Sequence, residues 1–173
     1  MRIGPGLAAA SAAGEHPSAA LLAAPPPGFR VLSAATPLPG GSPRAVGEAL
    51  TTWRLHRLAG LRVDADGPAR AGSTVVSELA VGPLVLAAPC RVLEVVRSDD
   101  VVALVYASLP GHPEHGVERF AVERGPDGLV FRVTAVSRPG RWFVRAGGPV
   151  ARAVQARVTE RYLAAALHVA HAG

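Results

Sequence analysis

A chain of 173 residues fits one domain with a tail and is long enough to bury a sizeable core. Hydrophobic residues make up 49%, mostly Ala and Val, while aromatics are only 5%, so the core is built from small and β-branched side chains that favour strands. All 18 basic residues are Arg and the net charge is +5, but they are scattered without interleaved aromatics, which argues against nucleic acid as a partner. The densest run, Arg138, Arg141 and Arg145, reads equally as a solvated or an anion-facing surface. A single cysteine, Cys90, excludes an internal disulfide and points to a reducing compartment, hence the cytoplasm. No apolar run is long enough to cross a bilayer.

Met1 to Pro27 reads as a disordered Ala/Gly/Pro-rich extension. Arg2 and the alanines resemble a secretion signal only loosely: Gly14-Glu15-His16-Pro17 interrupts the segment, and Leu21-Leu22 is too short an apolar stretch. Residues 28–171 then form a single domain. Phe29 to Thr36 reads as a strand. Ser42-Pro43 opens a helix, with Ser at the N-cap and Pro at the first helical position. Val46, Ala49, Leu50 and Trp53 follow at helical spacing, and Gly60 ends it; Leu61 to Val63 is ambiguous. After Gly72 the period shortens, and Ser73–Ala80, Leu84–Val96, Val101–Ser108, Val117–Glu123 and Leu129–Val136 are strand-like. Their short links require antiparallel pairing, and Pro89 marks a bulge or an edge. Gly147-Gly148-Pro149 opens a last, long helix with an apolar stripe at Val150, Val154, Val158, Tyr162, Ala165 and Val169.

The order predicts an α+β fold in which one curved antiparallel sheet wraps the C-terminal helix, the only element large enough to cover its apolar face. Space between sheet and helix is where a small ligand would go.

Several motifs share a second message. Trp53-Arg-Leu-His56-Arg57-Leu-Ala-Gly60, Gly82-Pro-Leu84, Ala88-Pro-Cys-Arg-Val92, Leu109-Pro-Gly-His-Pro-Glu114, Ser137-Arg-Pro139 with Trp142, and Gly148-Pro149 through Arg161-Tyr162-Leu163 occur in that order. Together they resemble uncharacterised protein family 0548, a domain-of-unknown-function family of bacteria and plants, over about residues 42–165. The resemblance implies a START-like helix-grip fold, shared with lipid carriers and polyketide cyclases, and brings no established activity. Ala107, Val117 and Val85 depart from the family pattern; Val117 removes an acidic group beside Glu118.

The proline-framed loop Leu109 to Glu114 carries the most chemistry. His112 and Glu114 read either as a general acid/base pair or as a rigid turn whose His caps backbone. His112, Glu114 and His115 are too few and too irregularly spaced for a metal site, and no cofactor motif is present. Arg91 and Arg138, in or next to apolar strands, would be paired with Glu94, Glu118 or Glu78, or would fork a ligand anion. Trp53, Tyr106, Phe120 and Trp142 are core or pocket walls. His56 and Arg57 suit the negative end of their helix. Cys90 reads as a small core group, and Ser33, Ser108 and Ser137 lack a nucleophile's setting.

The favoured expectation is a binder of a small apolar or amphipathic molecule, with Trp53, Tyr106, His112, Glu118, Arg138 and Trp142 lining the site and Glu114 beside them. An enzyme using His112 as acid/base in a cyclisation, dehydration or hydrolysis is the second reading. A non-catalytic interaction module, with the oligomeric state left open, is the third.

Overall fold

A computed structural model describes residues 1–141 and 148–172. In chain order the elements are β1 (Arg2–Ile3), α1 (Leu7–Ser11), a 3-10 turn (Ala19–Leu22), β2 (Arg30–Pro37), α2 (Pro43–Thr51), α3 (Arg54–Leu58), β3 (Arg62–Ala65), β4 (Thr74–Val81), β5 (Leu84–Arg97), β6 (Val101–Ser108), β7 (Glu114–Gly125), β8 (Gly128–Pro139) and α4 (Gly148–Ala172). Seven strands pair antiparallel in the order β2-β8-β7-β6-β5-β4-β3, and β1 adds a short parallel pairing on β5. Each expected strand is present. The ambiguous Leu61 to Val63 stretch becomes β3, and β7 starts at Glu114 because Pro113 is the last residue that cannot donate to a ladder.

Pro89 sits where β5 changes partners. Residues 85–86 pair with β1, and pairing with β6 begins at Cys90, so no ladder hydrogen bond to either is lost there. The bulge lies further on, between Val92 and Glu94, where Leu93 drops out of register. A bulge sharpens the local twist and so helps the sheet to curve.

The helix expected from Pro43 to Gly60 is broken. Ser42 caps α2 by accepting from the Ala45 N–H at 3.4 Å. Trp53 then takes φ 65°, the left-handed region that a bulky residue enters only when its surroundings hold it there. Its indole N–H donates to the Gly67 carbonyl at 2.8 Å, and the ring is 2% exposed, so one large side chain turns the chain from α2 into α3.

Strand alternation sorts the sheet into two faces. The inner face carries Cys90, Val92, Leu104, Tyr106, Phe120, Val122, Phe131 and Val133, which form the main core with α2, α3 and α4. On α4 the buried positions are Thr159, Tyr162, Ala165, Ala166, Val169 and Ala170, from its middle to its C-terminal end. Val150, at the start of the stripe, is 67% exposed. The helix is therefore clamped at one end and stands off the sheet at the other.

Met1 to Pro27 does not form the disordered extension expected from its composition. It is ordered across the outer face. Leu7, Ala10 and Ala13 pack on Val76, Ala87 and Leu109, while Ala19, Leu21 and Leu22 pack on Val105, Ala107 and Val117. Arg91 ties it down, donating to the carbonyls of Ser11 at 3.0 Å and Ala13 at 2.8 Å, and Arg2 pairs with Glu78 at 2.6 Å. Small Ala and Leu side chains suffice because the sheet's own outer face is apolar; composition without that surface looks disordered. Among the described residues no helix is long and apolar enough to cross a membrane.

Removing residues 1–27 exposes two apolar clusters worth a few kcal/mol. We expect the melting temperature of the truncated chain to fall by at least about 5 °C, read by circular dichroism; an unchanged melt would show the segment contributes nothing.

Candidate functional site

Between the inner face and the N-terminal half of α4 lies a cavity of about 330 Å³. Its walls are mainly small and aliphatic: Leu79, Leu86, Ala88 and Ala135 from the strands, Val154 and Val158 from α4. Gly116 on β7 lies in the wall where β8 comes too close for a side chain, since a Cβ would collide with the Val136 carbonyl, and its N–H donates to Ser108 Oγ at 2.9 Å. Thr159 turns its hydroxyl onto its own helix, donating to the Gln155 carbonyl at 3.0 Å.

The polar group that matters most is Glu118. It faces Tyr106 across the β6–β7 ladder, and the Tyr106 hydroxyl donates to Glu118 Oε2 at 3.0 Å. Burial pushes its carboxyl up to about 7, against a smaller lowering by the tyrosine bond. The same burial raises Cys90, Tyr106 and Tyr162, and the Glu118 charge adds to each rise.

His112 lines the cavity mouth, but it does not meet the Glu114 carboxylate. Its Nδ1 accepts the backbone N–H of Glu114 at 2.9 Å, which requires the neutral ring at that atom. Burial lowers its pKa to about 4. Glu114 turns instead to Ser137, whose hydroxyl donates to Oε2 at 3.3 Å, and to Arg30 at 3.9 Å. Burial raises the Glu114 carboxyl, and both neighbours oppose that rise. The loop thus has the geometry of the rigid turn rather than of an assembled acid/base pair. On its far side a second cavity lies between Gly14–Pro17 and the loop, with His112 and His115 in its wall. Among the described residues no group of His, Cys, Asp or Glu is arranged to hold a metal.

Two expected wall residues are elsewhere. Arg138 is exposed, with its guanidinium 5.1 Å from the Phe29 ring centroid, because its neighbour Ser137 takes the inner face. Trp53 is in the core beneath α2, pinned by its bond to Gly67. Trp142 lies outside the described residues. Arg91 pairs with none of the expected glutamates; it holds the N-terminal segment. Tyr106, Glu118, His112 and Glu114 do share the cavity.

His56 stands in the last turn of α3, as expected, and is fully buried. Trp53, Tyr106, Phe120 and Tyr162 surround it at ring-centroid distances of 5.1, 6.2, 5.4 and 5.1 Å. Neither ring nitrogen has a hydrogen-bond partner among the described residues. Burial, helped by Arg57, lowers its pKa to about 3. Its place three residues after Trp53 was visible in the sequence, but the aromatics that enclose it come from β6, β7 and α4, far along the chain.

With this geometry in hand, residues 13–165 match a family model described as a domain of unknown function, DUF1990. The chain belongs to that family. A UPF0548 protein of Deinococcus radiodurans is 40% identical over 73 residues, 42% of this chain and 37% of the relative, so the match spans well under half of that protein. The di-domain ARO/CYC StfQ of the steffimycin biosynthetic pathway superposes with a TM-score of 0.63 at 10% identity, over 83% of this chain and 51% of that one. Major latex-like protein 151 of Panax ginseng gives 0.54 at 14% identity, over 79% and 96%. At such identities the likeness shows the fold, which is the helix-grip fold of these proteins, as the family resemblance implied.

Two predictions follow the buried titratable groups. The native Glu118 carboxyl binds its proton more tightly than an unfolded one does, so its ionisation costs stability as pH rises from about 4.5 through about 7. Glu118→Gln is therefore expected to stabilise at pH 8, by up to about 3 kcal/mol, and to do nothing at pH 4, in urea titrations. For His56 the sign is opposite. The unfolded ring protonates below pH 6.5 while the native ring stays neutral to about 3, so wild-type stability drops on acidification. His56→Leu should match or exceed wild type at pH 7, and its advantage should grow by about 2 kcal/mol by pH 5; a constant difference between the two pH values would refute the buried neutral ring.

Proposed function

We propose that the protein is a cytoplasmic carrier of a small, largely apolar molecule held between the sheet and α4. One observation carries this reading: the wall of the cavity of about 330 Å³ is mostly apolar surface, with polar side chains set among the aliphatic ones. That is the make-up of sites that take up small ligands. If sheet and helix packed solidly along their length, an interaction module would fit better, and they do not. An acid/base enzyme built on His112 is less well supported, since Glu114 presents its backbone N–H to the ring and its carboxylate elsewhere. The lone, buried Cys90 supports a reducing compartment.

Native mass spectrometry of protein purified from its own cells should find a co-purifying small molecule. Independently, the neutral fluorophore N-phenylnaphthylamine should bind with enhanced emission. Val154→Trp, which fills the cavity from α4, should weaken that binding at least tenfold while leaving the melting temperature within a few degrees. Equal binding by wild type and variant would place the fluorophore, and the function, outside this cavity.

A further inference from the structure

Resting on the carrier reading, we propose that the ligand is an amphipathic amine, an apolar body with one protonated amino group that pairs with Glu118. The argument begins with what the walls lack. Although the chain holds 18 Arg, no Arg is among the described residues lining the cavity, and its one histidine, His112, stands at the mouth. Two of the lining residues are acidic, and they differ. Glu114, at the mouth, has Arg30 and Ser137 beside its two oxygens. Glu118, deeper on the same strand, has only the Tyr106 hydroxyl on Oε2. Its Oε1 has no hydrogen-bond partner among the described residues.

Leaving a carboxylate uncompensated in an apolar enclosure is costly, and a protein relieves it by pairing or by protonation. Among the described residues no cationic group pairs it. Cys90 on β5, Tyr106 on β6, Tyr162 on α4 and, toward the mouth, His112 and Glu114 are the titratable groups of the cavity. None of them is cationic: His112 accepts a backbone bond on a ring kept neutral by burial. A ligand ammonium supplies the missing positive charge and donates to the free oxygen. A carboxylate ligand meets repulsion at the same place, and an alcohol gains a hydrogen bond without the charge.

Octylamine, octanol and octanoate share one apolar body and differ only in the head group. Each is titrated against bound N-phenylnaphthylamine on the full chain at about pH 8. Octylamine should displace the fluorophore at concentrations at least tenfold below octanoate and several-fold below octanol. In Glu118→Gln the amine-to-alcohol ratio should fall to about one. As pH drops to about 5.5 the wild-type amine affinity should weaken at least tenfold, because Glu118 takes up its proton while octylamine stays charged; octanol should not follow. This pH arm needs no variant and stands if Glu118→Gln fails to fold. Octanoate binding as well as octylamine, a ratio unmoved in the variant, or an amine affinity independent of pH would each overturn the inference. Equal displacement by all three leaves the carrier reading intact and removes the amine. Displacement by none removes the amine as well, and it takes the carrier reading with it only when Val154→Trp also leaves fluorophore binding unchanged.

Discussion

The shape of this molecule follows from a shortage of large side chains. A sheet of seven antiparallel strands curving around a helix of 25 residues encloses more volume than Ala and Val can fill. The described inner aromatics, Trp53, Tyr106, Phe120, Phe131 and Tyr162, gather with His56 at one end, in ring contacts such as Phe120 to Tyr162 at 4.8 Å. That end is solid and grips the C-terminal half of α4. Gly41 lets the chain approach the helix there, its Cβ position only 2.9 Å from the Ala170 methyl. At the other end the inward positions are Ala88, Gly116, Ala135 and Ser137, and among the described residues only Tyr106 and Tyr162 bring a phenol ring to the cavity wall. Close packing is the rule in protein interiors, so a void of this size is held open by the rigid end rather than by its own walls.

The electrostatics repeat the division. Glu114 and Glu118 are one helical-turn count apart in sequence but two inward positions apart on a strand, and both face the cavity. The outer one can be reached by Arg30 from the edge strand β2, which lies two strands away across β8. The inner one is flanked directly by Tyr106 on β6 and Ala135 on β8, and a guanidinium cannot be brought there without desolvating it too. Position along β7 therefore decides which carboxyl is neutralised by the protein and which is left to a proton or a ligand.

Much of this architecture was legible in the residues. Period-two runs separated by Gly82-Pro83, Ser98-Asp99-Asp100, the Pro110-Gly-His-Pro113 loop and Gly125-Pro126-Asp127-Gly128 locate five strands, because each turn's chemistry is local. The long helix was legible from its stripe, but not that Val150 would be solvent-exposed while Thr159 is buried, since that depends on where the sheet stops filling the space. The site was only half legible. Residue type and context point to Tyr106, Glu118, His112 and Glu114, but not to the places of Arg138 and Trp53. The face of Arg138 depends on the register of β8 against β7, where it lies opposite His115. Trp53 does point into the core, but its left-handed backbone ends the helical period and sets it away from the cavity. A one-residue phase is invisible to periodicity and inverts which side chains see the cavity.

The outer face shows why composition alone misjudged the first 27 residues. A sheet that buries one face reads as alternating apolar and polar residues, but β6 is buried from Val102 through Ser108 without interruption. Val105 and Ala107 there, with Val117 on β7, needed a cover that the C-terminal helix, already on the opposite face, does not supply. Leu21 and Leu22 provide it, in a segment too short to hold a core of its own. The cover also borders the loop that carries His112: Pro5 lies against Gly111, where a Cβ would come within 2.6 Å of its ring, and Gly14 to Pro17 face the loop across the second cavity. The N-terminal segment and the cavity mouth are thus coupled through one stiff connection, and any movement that opens the mouth at Leu109 to Glu114 must also shift the packing on the outer face.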